Sequence, residues 1–318
     1  MFLSLLLVTA CGTAPIAGAT EASINFPTRP ITLFVGFAAG GGTDIGARIM
    51  AYHMGEILGQ QIVVINIPGA GGEPAMMQML GARADGYTIA TVNPGQFVNT
   101  LLRDTAYSVD DFVLLGQMVN EVRVIAIRTN DPRFNDMDSF IAYARENTLT
   151  VSDTGIGTNA HFTTLGIADR GNLNLVPIHS DGFGAGMAQF LGAHVDAISS
   201  SLGEITPAIL DGNAIAIGIT ADERHPDFPD IPTFMEAGID FEISTRRGMA
   251  INREVDPRII NILRDALEQA AHLPQYIQEM NNAGIPPDFL DAETYQDAMA
   301  RELNALAELV ERFNLRQN

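Results

Sequence analysis

Lysine is missing altogether: each of the 18 basic residues in the 318-residue chain is an arginine. That excludes catalysis through a lysine Schiff base and a phosphate-binding loop ending in Gly-Lys. Cysteine occurs once, at Cys11, so no internal disulfide and no cysteine metal site can form. Positive charge is scarce beside 38 acidic residues. A net charge of −20 and a pI near 4.5 leave no basic stripe for nucleic acid. Beyond the first eleven residues, no apolar run is long enough to cross a membrane. The six histidines, at positions 53, 161, 179, 194, 225 and 272, show no pairing such as His-Glu-x-x-His, so neither a metal nor a cofactor is expected. There is no G-x-S-x-G nucleophile elbow. Two readings account for the absent lysine: an acidic surface adapted to a salty medium, or codon usage that favours arginine.

What is present describes a globular protein. Hydrophobic residues make up 47% and charged residues only 18%. The length is generous for one core and natural for two domains. Residues 2–10 (FLSLLLVTA) fit the apolar core of a secretory signal, although no basic residue precedes them. VTAC at 8–11 resembles a bacterial lipobox, which would place lipidation at Cys11. Cleavage after AGA at 17–19 is the other reading. Either way the mature part is expected to begin near Thr20 and to be exported.

Along the chain, β-branched runs alternate with helical spacing. Strands are expected at 31–37 (ITLFVGF), 61–67 (QIVVINI) and 87–92 (YTIATV), with helices after the first two. A second α/β unit has strands at 122–129, 149–154, 173–179, 195–201 and 214–220. A proline-rich loop follows at 222–238. The C-terminal helices start after Asp256-Pro257 and after Asp291, and the apolar stripe Met299, Leu303, Leu306, Val310, Phe313 faces a core. They are expected to pack on the first unit, so the chain would cross between units near 121–124 and 243–248. The order implies α/β lobes with mainly parallel sheets.

One motif is written twice. GGGTD at 40–44 returns as GIGTN at 155–159, each time between a strand and a helix. A strand that stops in glycines and turns into a helix presents main-chain N–H groups at the positive helix end, and such a site prefers a carboxylate or phosphate. Thr43 and Thr158 add hydroxyls, Asp44 or Thr43 can cap the first helix, and PGAGG at 68–72 is a third donor-rich turn. A dinucleotide is not expected, because Asn66 rather than an acidic residue ends the second strand. His161, in the first helical turn after the second loop, is either a ligand donor or a structural histidine. Arg247, after Arg246, is placed to pair with a carboxylate or with an acidic side chain.

The segments FPTRPITLFVGFAAGGGTDIGARIMA, LGQQIVVINIPGAGG, ADGYTIA, SDTGIGTNAHF, VPIHSDG, AHVDAISSS, ERHPDFPDIPTFMEAG and RRGMAI together resemble the solute-binding proteins of tripartite tricarboxylate transporters, the Bug family. The resemblance runs from about Phe26 to the C-terminus. It implies a periplasmic, monomeric, type II-like two-lobed binding protein without catalysis. Such a protein holds an organic carboxylate between its lobes and passes it to membrane permease subunits. Carried over by position, the first lobe would contact the ligand through Phe37, Ala39, Gly41, Gly42, Thr43, Asp44, Gly71 and Gly72. The second would use Gly157, Thr158, Asn159, His161, Ser180, Asp181 and Ser200, with Arg247 at the crossover. The lobes would be 20–123 with 247–318, and 124–246, after a signal at 1–19. The chain departs from the usual family pattern in GFAA before the first glycine loop, in the acidic HSDG turn, and in Arg246 where an aromatic is common. All three surround the part of the pocket that reads the distal end of the ligand. Two other functions share these features: a ligand-sensing module for a two-component system, and an exported hydrolase using a serine at 199–201.

Overall fold

The computed structural model describes residues 24–316. Cys11 and the signal reading lie outside them. The first βαβαβ unit forms where the apolar periodicity changes from two to 3.6: β1 (Ile31–Val35), α1 (Gly42–Leu58), β2 (Ile62–Asn66), α2 (Glu73–Gly81) and β3 (Thr88–Val92). Both β2 and β3 run parallel to β1. A helix that the residue spacing had not suggested follows, α3 (Pro94–Leu102). Asn93 caps it by accepting from the Gln96 N–H while the Gln96 side chain accepts from the Asn93 N–H.

The second unit contains α4 (Met137–Glu146), β5 (Leu149–Asp153), α5 (Asn159–Gly171), β6 (Leu175–His179), α6 (Phe183–Leu191), β7 (Ala197–Ser201), α7 (Leu202–Leu210) and β8 (Ala214–Ile219). Here β6 and β7 are both parallel to β5. Val151 and Ala197 are fully buried, as strands covered on both faces require.

Between the parallel parts lie two long antiparallel strands, β4 (Phe112–Arg128) and β9 (Ser244–Asn252). Through Val122, β4 pairs with β9; from Arg123 on it pairs with β7 and β8. One 17-residue strand therefore belongs to both sheets. The strand expected at 122–129 is only its second half. The preceding residues alternate less clearly because nearly all of them are buried.

The C-terminal elements are α8 (Pro257–Ala271), α9 (Pro274–Asn282), β10 (Pro287–Leu290) and α10 (Ala292–Arg312). Leu263, Leu267, Tyr276 and Met280 join the core around β1 and α1, in keeping with packing on the first unit. The last helix does more. Tyr295 and Met299 pack with Phe34 and Phe97, whereas Leu306, Leu309 and Val310 pack with Phe140 and Phe162 of the second unit. At 21 residues it is about 30 Å long, enough to bridge both cores with one apolar stripe.

Candidate functional site

A continuous cleft runs between the two units. Its outer chamber, about 670 Å³, is lined by Gly36–Ala38 and Pro68–Gly72 on one side and by Thr154–Ile156 and His179–Gly182 on the other, with Arg103 at the edge. A smaller inner chamber of about 140 Å³ shares Phe37, Ala38, Thr154 and Gly182 with it. The inner chamber also takes in Ala39–Gly41, Thr43, Arg123, Thr158–Ala160, Glu204, Thr245 and Arg247.

The chain delivers these groups from strand ends. The first loop follows β1 and starts α1 with Gly41 in the N-cap position, where no side chain caps the helix. The Gly42 N–H is instead donated to Glu204 Oε1, 3.1 Å away on α7 of the other unit. Asp44 holds the loop from behind: its carboxylate accepts from the Gly40 N–H (2.9 Å), from Asn66 Nδ2 (2.9 Å) and from Arg48 (2.9 Å). Burial pushes the Asp44 pKa up, but these three donors outweigh it and the net shift is downward.

The second loop follows β5. Thr158 is the N-cap of α5: its hydroxyl accepts from the His161 N–H (3.3 Å) and donates to the Gly155 carbonyl (2.7 Å). The Gly157 N–H is donated to His161 Nδ1 at 3.2 Å. That fixes Nδ1 as an acceptor, so the ring is neutral with its proton on Nε2. Burial, aided by neighbouring His179, pushes the His161 pKa down to about 4, against the pull of Asp153. Asp153 binds His179 Nδ1 at 2.8 Å and accepts from the Gly155 N–H at 2.8 Å, tying the two lips of this side together. The PGAGG turn is pinned by Asn99, whose Nδ2 donates to the Ala70 carbonyl at 3.1 Å.

At the floor of the cleft two arginines are almost completely buried. Each is 3% exposed. Arg247 on β9 is ion-paired with Glu121 on β4, donates from Nε to Thr43 Oγ1 (3.1 Å) and lies 4.0 Å from Glu204. Arg123 on β4 donates to two hydroxyls, Thr245 Oγ1 (3.0 Å) and Ser199 Oγ (3.4 Å). Burial lowers the pKa of Arg123 to about 10 and of Arg247 to about 9, so both stay cationic at neutral pH. Beside them Arg246 pairs with Glu302 of α10 at 3.1 Å. Glu302 also accepts from Asn159 Nδ2 at 3.2 Å, and burial raises its pKa to about 7.

The residues singled out from the sequence gather around this cleft in two ways. Phe37, Ala39, Gly41, Thr43, Gly71, Gly72, Thr158, Asn159, Ser180, Asp181 and Arg247 line one chamber or both. Gly42, Asp44, Gly157, His161 and Ser200 stand one layer behind. Of these, Ser200 bonds the Ser201 carbonyl and Glu204. No hydrogen bond joins a histidine to Ser199, Ser200 or Ser201 among the described residues. Sequence reasoning missed Arg123, Glu121, Glu204 and Glu302. Two signals were there to find: NEVRVIAIRT places Glu121 and Arg123 inside an apolar strand, and Ser201-x-x-Glu204 has the spacing of a helix-start box.

Comparison with known proteins agrees with this architecture. The family described as "Tripartite tricarboxylate transporter family receptor" matches residues 46–315. A protein encoded in the tcbD-tcbE intergenic region of a Pseudomonas species is 30% identical over 301 residues, 92% of this chain and 89% of its own. The solved periplasmic binding protein BugD superposes with a TM-score of 0.85 at 27% identity, covering 92% of this chain and 100% of BugD. MatC from Rhodopseudomonas palustris, solved with bound malate, gives a TM-score of 0.82 at 26% identity and covers 90% of this chain and 100% of MatC. The two-lobed α/β chain described here belongs to the tripartite tricarboxylate transporter receptor family of periplasmic solute-binding proteins.

Proposed function

We propose that this protein captures an organic carboxylate in the periplasm and delivers it, as a monomer, to the permease subunits of a tripartite transporter. The observation that carries the reading is the cleft itself: glycine-rich strand ends from both units, with two buried arginines at its floor, converge on one space. Main-chain N–H groups and cations suit a carboxylate, and similarity to MatC, which was solved with malate, points to the same chemistry. The lobes would be 20–123 with 247–318, and 124–246. They would close about the stretches where β4 and β9 pass from one unit to the other, since only the closed form brings both glycine loops to one ligand. A protein carrying −20 repels anions at long range, so capture relies on these local donors and on screening by salt.

The test is a thermal-shift screen of the mature protein against mono-, di- and tricarboxylates and aromatic acids. A true ligand at a hundred times its dissociation constant stabilises by about 2.7 kcal/mol, a rise of several degrees. A response confined to one carboxylate class supports the reading. No response to any carboxylate, in folded protein free of co-purified ligand, overturns it.

A further inference from the structure

Arg123 and Arg247 are equally buried and both line the inner chamber, but their surroundings differ. The charge of Arg247 is matched by Glu121 in direct ion pairing. Arg123 has no carboxylate partner among the described residues: two of its N–H groups go to hydroxyls, and its buried Nε has no hydrogen-bond partner at all. The acidic groups that act on it, Glu204 and Asp153, do so only at longer range. Glu204 is the one carboxylate lining the inner chamber, and its oxygens already accept from the Gly42 N–H, Ser201 Oγ and Ser200 Oγ. Asp153 is held by His179 and the Gly155 N–H. A buried charge without a close counter-ion costs several kcal/mol, and an orphaned buried donor costs more on top. A fold that keeps such a group on a cavity wall gains when an anion enters that cavity.

We propose that Arg123 is the anchor of a carboxylate subsite in the inner chamber, so that one acid group of the ligand sits deep against β4 while the remainder lies in the outer chamber. Resting on the carboxylate reading above, this sharpens it. The inner chamber, about 140 Å³, admits a carboxylate and one or two carbons, and the rest of the molecule extends toward Asp181 and His179 in the space of about 670 Å³. The guanidinium is already oriented by Thr245 on β9 and Ser199 on β7, so binding immobilises no flexible side chain. Selection for the acid group then belongs to the strand that both units share, which couples occupancy of the subsite to the relative position of the lobes.

The experiment compares wild type with Arg123→Met and Arg123→Gln, using two probes. Acetate fits the inner chamber alone; L-malate spans both chambers. Each is titrated calorimetrically, and ligand-free melting is recorded with sodium chloride at matched ionic strength as the control anion. The expected result is an acetate response in wild type, a loss of affinity of at least about tenfold for both probes in both variants, and a ligand-free midpoint for Arg123→Met about 2–4 °C above wild type, because an unmatched buried charge has been removed. Gln retains the capacity to bond Thr245 and Ser199, so it keeps the test alive if Met fails to fold. Unaltered affinity in either folded variant overturns the subsite, as does a wild-type response to chloride equal to that of acetate. A wild type that binds malate but ignores acetate overturns the subsite and leaves the transport reading standing. No response of folded wild type to acetate, L-malate or any other carboxylate overturns that reading and the subsite with it.

Discussion

The two glycine loops carry nearly the same five letters but start their helices at different places. In GIGTN the N-cap is Thr158, with φ −81° and ψ 161°. In GGGTD the same backbone conformation, φ −81° and ψ 165°, falls two residues earlier, on Gly41. The consequence is large. Thr158 satisfies the end of its own helix, and His161 takes up the Gly157 N–H, so the second loop meets its needs internally. The first loop has no side-chain cap; its Gly42 N–H reaches across to Glu204, and Thr43 is left to receive Arg247. A repeated motif thus yields one loop open toward the other unit and one closed frame. The open loop already offers an N–H to a carboxylate, that of Glu204, and the closed one ties Thr158 back to the Gly155 carbonyl.

Alanine at equivalent-looking glycines separates the two. Gly157 has φ +77°, and a Cβ there would lie 2.6 Å from Leu102 Cδ1. Backbone strain and overpacking together predict that Gly157→Ala loses about 2–5 kcal/mol, read as a fall in the denaturant midpoint. Gly42 lies within α1, where alanine is welcome, but its Cβ would come within 3.1 Å of Arg247 Nη2 and 3.3 Å of Glu204 Cγ. Gly42→Ala should therefore keep stability within about 1 kcal/mol and weaken carboxylate binding instead. A Gly42→Ala protein that binds normally would show that the open loop is not where ligand meets protein.

Acid titration sharpens the contrast, because both groups with large shifts near neutrality belong to the closed frame. His161 has a folded pKa of about 4 against 6.5 ordinarily, so between these values the unfolded chain binds the proton more readily. Its contribution is complete above about 6.5 and is lost as pH falls through 4. Glu302, hydrogen-bonded to Asn159, is raised from 4.5 to about 7, chiefly by burial. Its sign is opposite: the contribution is complete below 4.5 and is lost as pH rises through 7. Each shift corresponds to about 3 kcal/mol, so in the wild type they largely cancel between pH 4.5 and 6.5. Relative to wild type, Glu302→Gln should gain stability with rising pH in that window, and His161→Gln should lose it. Equilibrium unfolding at several pH values reads both slopes, and parallel curves for all three proteins would remove the opposition.

Much of this was legible in the residues. The alternation of β-branched runs with helical spacing located most strands of both units, and the doubled glycine motif pointed to the cleft. Three things were not. Helix α3 was hidden because NPGQFVNTLL opens with a Pro-Gly pair that reads as a turn, whereas Asn93 and Gln96 make it a capped helix start. The bridging of α10 was hidden because one apolar stripe looks the same whether it meets one core or two. The charge network was hidden for a deeper reason. Glu121 and Arg123 share β4, but Glu204 and Arg247 lie far from them along the chain, and only the meeting of β4, β7 and β9 with the start of α7 makes them neighbours. Spacing reports contacts within an element; it cannot report which strand ends meet.

The smallest expected effect tests the comparison most directly, since it exchanges one hydroxyl for one methyl at the same letter of each motif. In Thr158→Val the α5 N-cap is lost, and the His161 N–H loses its acceptor. Caps of this kind are worth about 1 kcal/mol, a shift of a few degrees at most in a chain this long. In Thr43→Val no cap is lost, because Thr43 already lies inside α1; the buried Arg247 Nε loses its acceptor instead. Arg247 keeps Glu121, so the fold should survive, while its guanidinium is held less firmly against the inner chamber. Thr158→Val should therefore show mainly in the melting midpoint and Thr43→Val mainly in the carboxylate dissociation constant. If Thr158→Val instead cost the larger share of affinity, its hydroxyl would have to leave the Gly155 carbonyl to serve the ligand, and the second loop would be as open as the first.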